Sequence, residues 1–150
     1  MVFYNRAKTM NILLVEDNPA DIRLTQEVFK GGTIHHTLNI VMDGEEAMKY
    51  LKKEGKYAGA ETPDLVILDL NIPKKDGKMV LKEIKTDNHL KSIPVIILTT
   101  SNDEKDIASS YANHVNCYIL KSIDLKAYIK IIKLVEDFWL TTVQLPKKHK

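Results

Sequence analysis

The sequence predicts an α/β fold in which one parallel sheet of five strands is covered by helices on both faces. Five short runs rich in Ile, Val and Leu recur along the chain, and segments with helical periodicity separate them. The runs are apolar almost without interruption, which is typical of parallel strands buried on both sides. The regular alternation of strand and helix therefore favours a doubly wound sheet.

The five predicted strands are short and evenly distributed along the chain. They are Asn11–Val15, Leu38–Met42, Leu65–Leu68, Val95–Leu98 and Cys117–Leu120. Because crossovers between parallel strands are right-handed, few windings are possible. We expect the flavodoxin-like order 2-1-3-4-5, which is one of the two common arrangements of such sheets.

Apolar residues at helical spacing indicate a helix after each strand. The first four helices are indicated by Ile22 and Phe29, Ala47 and Leu51, Met79 and Ile84, and, more weakly, Ile107 and Tyr111. The fifth helix is long, and its broad apolar stripe comprises Leu125, Tyr128, Ile129, Ile132, Val135 and Phe138.

Length and composition indicate one soluble domain of 150 residues, with 44% hydrophobic and 28% charged residues. The net charge is only +2 and the basic residues are scattered, so we expect no nucleic-acid partner. No apolar run could span a bilayer and no signal peptide is visible, so we expect no membrane partner and a cytoplasmic location. We divide the chain into a candidate disordered leader (1–9), the domain (10–140) and a C-terminal extension (141–150).

Polar residues that could carry chemistry follow the predicted strands. Glu16 and Asp17 follow the first strand, Asp69 the third, Thr99 the fourth and Lys121 the fifth. Ligands of open α/β sheets bind outside the carboxyl ends of the strands. We therefore expect three carboxylates, a hydroxyl and a lysine to converge on one edge.

This set of side chains is suited to phosphoryl chemistry. Crowded carboxylates repel one another, and a hard cation such as Mg²⁺ relieves that repulsion while binding phosphate oxygens. A lysine neutralises phosphate charge as a mobile point charge. An aspartate can itself be the nucleophile and form an aspartyl phosphate.

Four sequence blocks, in order and in register, resemble the receiver domains of response regulators from two-component systems. The blocks are Leu13–Asp21, Leu65–Gly77, Ile93–Ser101 and Cys117–Ser122. The resemblance covers about Met10 to Leu140, and the chain is similar to stand-alone receivers that partner phytochromes. It implies a protein that is not an enzyme, accepts a phosphoryl group from a sensor histidine kinase, and signals through a conformational or dimerisation switch.

The resemblance also implies a role for each matching position. The implied roles are phosphoacceptor for Asp69, Mg²⁺ ligation for Asp17, Asp69 and the Asn71 carbonyl, support of the metal's water shell for Glu16, phosphoryl contact for Thr99 and Lys121, and a switching aromatic ring for Tyr118. Two positions depart from the pattern: Ser122 stands where the family usually has proline, and Thr100 is larger than the residue common there.

The other acidic residues have simpler interpretations. We interpret Asp21, Asp43, Asp76, Asp103 and Asp124 as helix-capping or surface carboxylates. Glu16 and Asp17, taken alone, could likewise be residues that start the first helix.

The apolar residues near the C-terminus allow two interpretations. Phe138, Trp139, Leu140 and Val143 are too apolar for a free tail. They could fold back onto their own domain, or they could form an exposed patch used in a homodimer of twofold symmetry. We favour the dimer.

Three rival functions follow from the same residues. A haloacid-dehalogenase-type phosphatase would need a second acid where Asn71 stands, because an amide cannot transfer protons. A flavin mononucleotide protein of this fold would need a hydroxyl- and glycine-rich phosphate loop where Glu16 and Asp17 stand. The third rival is a receiver used only as an unphosphorylated binding module, and the complete set of acceptor, metal and lysine positions argues against it.

Overall fold

The computed structural model describes residues 9–32 and 34–146. The strands are β1 (Met10–Val15), β2 (His36–Val41), β3 (Leu65–Leu68), β4 (Val95–Thr99) and β5 (Cys117–Leu120). The α-helices are α1 (Pro19–Lys30), α2 (Gly44–Lys52), α3 (Gly77–Thr86), α4 (Glu104–Ala112) and α5 (Leu125–Asp137). Most of the predicted leader, and the basic tail at 147–150, lie outside the described residues.

The sheet confirms the predicted order. Its strands run β2-β1-β3-β4-β5, and each neighbouring pair is parallel. The predicted bounds are wrong at three strands: β1 starts one residue earlier, β2 starts at His36 rather than Leu38 and ends at Val41, and β4 extends to Thr99. In β2 the difference arises because His36 and Thr37 pair with Met10 and Asn11 although they are polar.

Two hydrophobic cores lie on opposite faces of the sheet, because successive strand residues point to opposite sides. On one face, Leu13 and Val66 pack with residues of α2 and α3. On the other, Ile12 and Ile67 pack with residues of α1 and α5, including Ile132. No helix within 9–32 and 34–146 is both long and apolar enough to cross a bilayer.

Side chains of the loops define where the helices begin. Asp43, Asp76, Asp103 and Asp124 occupy the N-caps of α2, α3, α4 and α5, and each accepts a backbone N–H of the first turn. The capping interpretation of these four residues is confirmed. Each cap satisfies one of the free N–H groups at the helix start, which stabilises the helix by ~1 kcal/mol.

The last two helices bury less than their sequences suggest. Leu125 and Phe138 are 61% and 53% exposed, so the stripe of α5 reaches solvent at both ends, which at Phe138 agrees with the exposed-patch interpretation. Tyr128, Ile132 and Val135 form its buried part. In α4 only Ser110 is buried and Tyr111 is 51% exposed, so that helix shows an apolar residue to solvent.

The chain continues past α5 in a turn of wider pitch. Phe138–Thr142 forms a π-helical turn, in which the Val143 N–H donates to the Phe138 carbonyl at 2.9 Å. The turn directs Leu140 into the core shared with α1 and α5, and Trp139 packs against the same core. These two residues therefore pack largely within their own chain.

Gly77 lets α3 start directly against the backbone at the end of β3. Its N–H donates to the Leu70 carbonyl at 3.0 Å. A Cβ atom on Gly77 would lie 2.5 Å from the Leu70 Cα atom and closer still to the Asp69 carbonyl oxygen. Both neighbouring atoms belong to the backbone, which cannot yield as a flexible side chain does.

We therefore expect Gly77→Ala to lower the free energy of unfolding by roughly 1–3 kcal/mol through overpacking. Chemical denaturation measures this change. Gly59→Ala is the matched control, because no atom lies within 4 Å of the added Cβ. Equal stability of the two variants would contradict the proposed close approach.

Candidate functional site

Three of the residues predicted to carry chemistry, Glu16, Asp69 and Lys121, meet at the carboxyl edge of the sheet. The Glu16 N–H donates to the Val41 carbonyl, the Asp69 N–H to the Val15 carbonyl and the Lys121 N–H to the Thr99 carbonyl. The sheet ladder thus fixes the backbone at the ends of three strands. Glu16, Asp69 and Thr99 are buried.

Lys121 is the centre of the site. Its Nζ atom donates to Glu16 Oε1 at 2.6 Å, to Asp69 Oδ2 at 2.8 Å and to Asp21 Oδ2 at 2.8 Å. The ammonium group has three N–H donors, so all of them are used. The side chain of Lys121 is only 5% exposed, which makes these contacts buried ion pairs.

Burial and mutual proximity shift the ionisation of this cluster. The pKa of Glu16 is raised from 4.5 to about 7, because burial and, to a smaller extent, the negative charge of Asp69 outweigh the opposing effect of Lys121. Burial alone would lower the pKa of Lys121, but hydrogen bonds to Asp21, Asp69 and Glu16 outweigh it and raise that pKa. The lysine is therefore held as a cation.

Asp69 is held from two sides. Its Oδ2 atom accepts a hydrogen bond from the Lys121 ammonium, and its Oδ1 atom accepts one from the Asn71 N–H at 3.0 Å. The close approach of Gly77 to the Asp69 carbonyl fixes the backbone behind it. The carboxylate is consequently oriented at the surface end of a buried strand.

Tyr118 connects β5 to the loop that follows Thr99. Its hydroxyl donates to the Ser101 carbonyl at 2.7 Å, and its ring packs against the core on the α2 and α3 face. The Ser101 hydroxyl in turn donates to Asp106 of α4 at 2.6 Å, and Lys78 of α3 donates to the same carboxylate at 2.7 Å. A continuous hydrogen-bonded path thus runs from β5 to α4.

The donor set fits a hard divalent cation. Among the described residues, no group of three or more His, Cys, Asp or Glu side chains is arranged to hold a metal ion. Mg²⁺, however, requires only one or two carboxylates together with water and carbonyl oxygens. Asp17, Asp69 and the Asn71 carbonyl, the ligands that the sequence predicts, are oxygen donors of this kind, and their role as ligands stays a prediction.

The two departures in the sequence leave the site assembled. None of the peptide bonds between described residues is cis, so the bond between Lys121 and Ser122 is trans, and the lysine still reaches Asp69. Thr100 is exposed and borders a surface depression together with Asp21 and Lys121.

Asp21 is the site residue that sequence reasoning missed. Its interpretation as a capping or surface carboxylate is incomplete, because its side chain is 21% exposed and pairs with Lys121. The two residues lie 100 positions apart along the chain. The single available signal was its place one helical turn after Asp17, in the first turn of α1.

Comparison with protein families identifies one model that matches most of the chain. The model of the response regulator receiver domain matches residues 12–133. Response regulator Rcp1 of Synechocystis is 54% identical over 135 residues, which cover 90% of this chain and 92% of that protein. The probable methanogenesis regulatory protein FilR2 of Methanothrix harundinacea is 38% identical, over 86% of this chain and 83% of its own.

Solved structures agree with these sequence matches. The Mn²⁺-bound form of Rcp1 superposes with a TM-score of 0.91 at 53% identity and covers 92% of this chain and 99% of its own. The phosphorylated cyanobacterial phytochrome response regulator RcpA superposes with a TM-score of 0.90 at 55% identity, over 93% and 99% of the two chains. The fold and the strand order are thus those of receiver domains.

The ion-pair cluster predicts a large, pH-dependent loss of stability in Lys121→Ala. At about pH 8 we expect a loss of roughly 3–5 kcal/mol, because three carboxylates lose their shared cation. The folded-state pKa of Glu16 lies above its ordinary 4.5, so its stabilising contribution is lost as pH rises through about 7. Without Lys121, the free energy of unfolding falls more steeply over this pH range. Acidification should therefore reduce the difference in stability between Lys121→Ala and the wild type.

Urea denaturation at alkaline and mildly acidic pH measures the effect. Lys126→Ala, at an exposed position of α5, serves as the control and should change little at either pH. A loss for Lys121→Ala that stays below about 1 kcal/mol, the range of surface pairs, would rule out the buried cluster.

Proposed function

This chain belongs to the response regulator receiver domain family, and we propose that it accepts a phosphoryl group from a sensor histidine kinase on Asp69 with Mg²⁺. The observation that supports this most strongly is the pairing of Asp69 with Lys121 at the end of a buried strand. A nucleophilic carboxylate and a phosphate-neutralising cation are thereby already in contact.

Transfer from a phosphohistidine needs no proton to leave Asp69. A carboxylate oxygen of Asp69 attacks phosphorus, the phosphorus–nitrogen bond breaks, and the nitrogen keeps the electron pair. The ring, protonated on its other nitrogen, leaves as neutral imidazole. The ammonium of Lys121 lies 2.8 Å from the attacking carboxylate, where it orients the group through a charge-assisted hydrogen bond. Lys121 then neutralises the oxygens of the transferred group.

A divalent cation fits beside these residues. Asp17, Asp69 and the Asn71 carbonyl would hold Mg²⁺, Glu16 would support its water shell, and the ion would offset the charge of the phosphoryl oxygens. The relative Rcp1 was solved in a Mn²⁺-bound form, which supports the choice of a hard divalent ion. The relative RcpA was solved phosphorylated, which supports the acceptor chemistry.

The signal passes from the acceptor to the loop that follows β4. Phosphorylation adds negative charge and strong acceptor oxygens beside Thr99 and Lys121. Reorientation of Thr99 moves the loop that holds Ser101, whose carbonyl accepts the Tyr118 hydroxyl. Phosphorylation thereby biases an existing equilibrium at α4, β5 and α5.

We expect the wild-type chain incubated with acetyl phosphate and Mg²⁺ to gain one phosphoryl group, detected by intact mass. Asp69→Asn removes the nucleophile, and EDTA removes the cation, so both should abolish the gain. Asp76→Asn is the matched control: Asp76 caps α3 through its side chain, and Asn caps equally well, so phosphorylation should persist.

Phosphoramidate provides a second small donor, with the phosphorus–nitrogen bond of a phosphohistidine. Failure of the wild type with both donors, or an equal mass gain in Asp69→Asn, would contradict the proposed acceptor.

We further propose a homodimer that uses the exposed end of α5. Leu134 and Phe138, four residues apart and therefore on one helix face, are 67% and 53% exposed. Large exposed apolar patches usually mark interfaces. Trp139 and Leu140 pack into the core of their own chain, so in the dimer they would support this face from the inside. The Val143 N–H donates to the Phe138 carbonyl, which places the backbone of Val143 next to that residue.

Phe138→Ala should weaken the dimer at least about tenfold, because buried aromatic anchors carry much of an interface's energy. Sedimentation equilibrium of the phosphorylated and unphosphorylated protein measures the association. Leu125→Ala, which removes a similarly exposed apolar side chain at the other end of α5, should leave it unchanged. A monomeric wild type in both states would exclude the proposed dimer.

A further inference from the structure

Asp21 differs from the other two acceptors of Lys121. Glu16 and Asp69 both belong to the proposed metal and phosphoryl site, and their surroundings change when the cation and the phosphoryl group arrive. Asp21 lies in the first turn of α1, which begins after the β1 end that carries Glu16 and Asp17. Its 2.8 Å contact with the Lys121 Nζ atom is the one that this chemistry leaves unaltered.

The backbone of Asp21 is firmly held. The Asn18 side chain caps α1 by accepting the N–H groups of Ala20 at 2.9 Å and Asp21 at 3.1 Å. The hydroxyl of Thr25, which is 2% exposed, donates to the Asp21 carbonyl at 2.9 Å. Pro19 fixes the first helical position. A carboxylate on so rigid a turn has little freedom to leave Lys121.

The loop of Lys121 itself has few restraints. The Lys121 N–H is anchored to the Thr99 carbonyl at 2.7 Å, and Ser122 Oγ only accepts the Asp124 N–H of the following turn. Ile123, the next residue, is fully exposed. A flexible four-carbon side chain on such a loop needs an external partner to stay aimed at Asp69.

We propose that Asp21 is a positioning residue, which holds the Lys121 ammonium within reach of Asp69 while the other two acceptors are engaged by the cation and the phosphoryl group. This inference rests on the proposed function. Asp21 touches neither the phosphoryl group nor the cation and acts through Lys121. In this chain, Asp21 of α1 thus restrains the Lys121 side chain, which the loop at Ser122 does not do.

The first test is the rate of phosphorylation by acetyl phosphate at saturating Mg²⁺. Asp21→Ala should slow it about tenfold, equivalent to ~1.4 kcal/mol of the barrier. Asp21→Asn, which keeps an oxygen acceptor without its charge, should recover part of the rate. The Mg²⁺ affinity should stay within about threefold of wild type, since Asp21 is not a ligand. Glu27→Ala, at an exposed acidic position of α1, is the control.

A double-mutant cycle separates positioning from a general structural role. If Asp21 acts through Lys121, Asp21→Ala should cause no further slowing in a Lys121→Ala background. An equal slowing in both backgrounds would overturn the proposal, as would an unchanged or faster rate in Asp21→Ala alone.

Nitrogen-15 NMR of the lysine ammonium groups supplies a readout that does not depend on phosphorylation. A buried, fully hydrogen-bonded Lys121 ammonium should give a signal protected from solvent exchange in the wild type, and Asp21→Ala should lose it. Persistence of the signal in Asp21→Ala would overturn the proposal. If the wild type accepts no phosphoryl group at all, the proposed function fails, and this measurement still decides whether Asp21 holds Lys121.

Discussion

The site depends on one buried cation shared among three carboxylates. Lys121 is almost fully enclosed, and Glu16, Asp21 and Asp69 all lie within hydrogen-bonding distance of its ammonium. A buried charge without partners would cost several kcal/mol, so each member of the cluster requires the others. Three carboxylates share one ammonium, so the cluster is short of positive charge, and the proposed divalent cation would supply it.

The fold brings these groups together by simple geometry. Strands β1, β3 and β5 are parallel, so the residues that follow them emerge at one edge although they are distant in sequence. The close approach of Gly77 then fixes the backbone of Asp69, and the cap at Asn18 fixes the turn that carries Asp21. The sheet thus determines where the site residues lie, and the loops and helix caps determine how their backbones are oriented.

Much of this arrangement was predictable because strand and helix alternate regularly. The five strands and the convergence of Glu16, Asp69 and Lys121 follow from period and connectivity, whereas the strand order was one of two common arrangements. The contact of Asp21 with Lys121 does not, since an acid in a first helical turn already has a sufficient explanation in the helix dipole. The exposure of Leu125 was missed, because periodicity identifies the apolar face of a helix but not the point at which the core ends.

The most direct test of the central claim is a crystal structure of the chain with Mg²⁺ and beryllium fluoride, which stands in for the phosphoryl group. The account predicts the fluoride adduct on Asp69, with the Lys121 ammonium bound to one fluorine and still paired with Asp21. An adduct absent from Asp69, or a Lys121 side chain turned away into solvent, would contradict it.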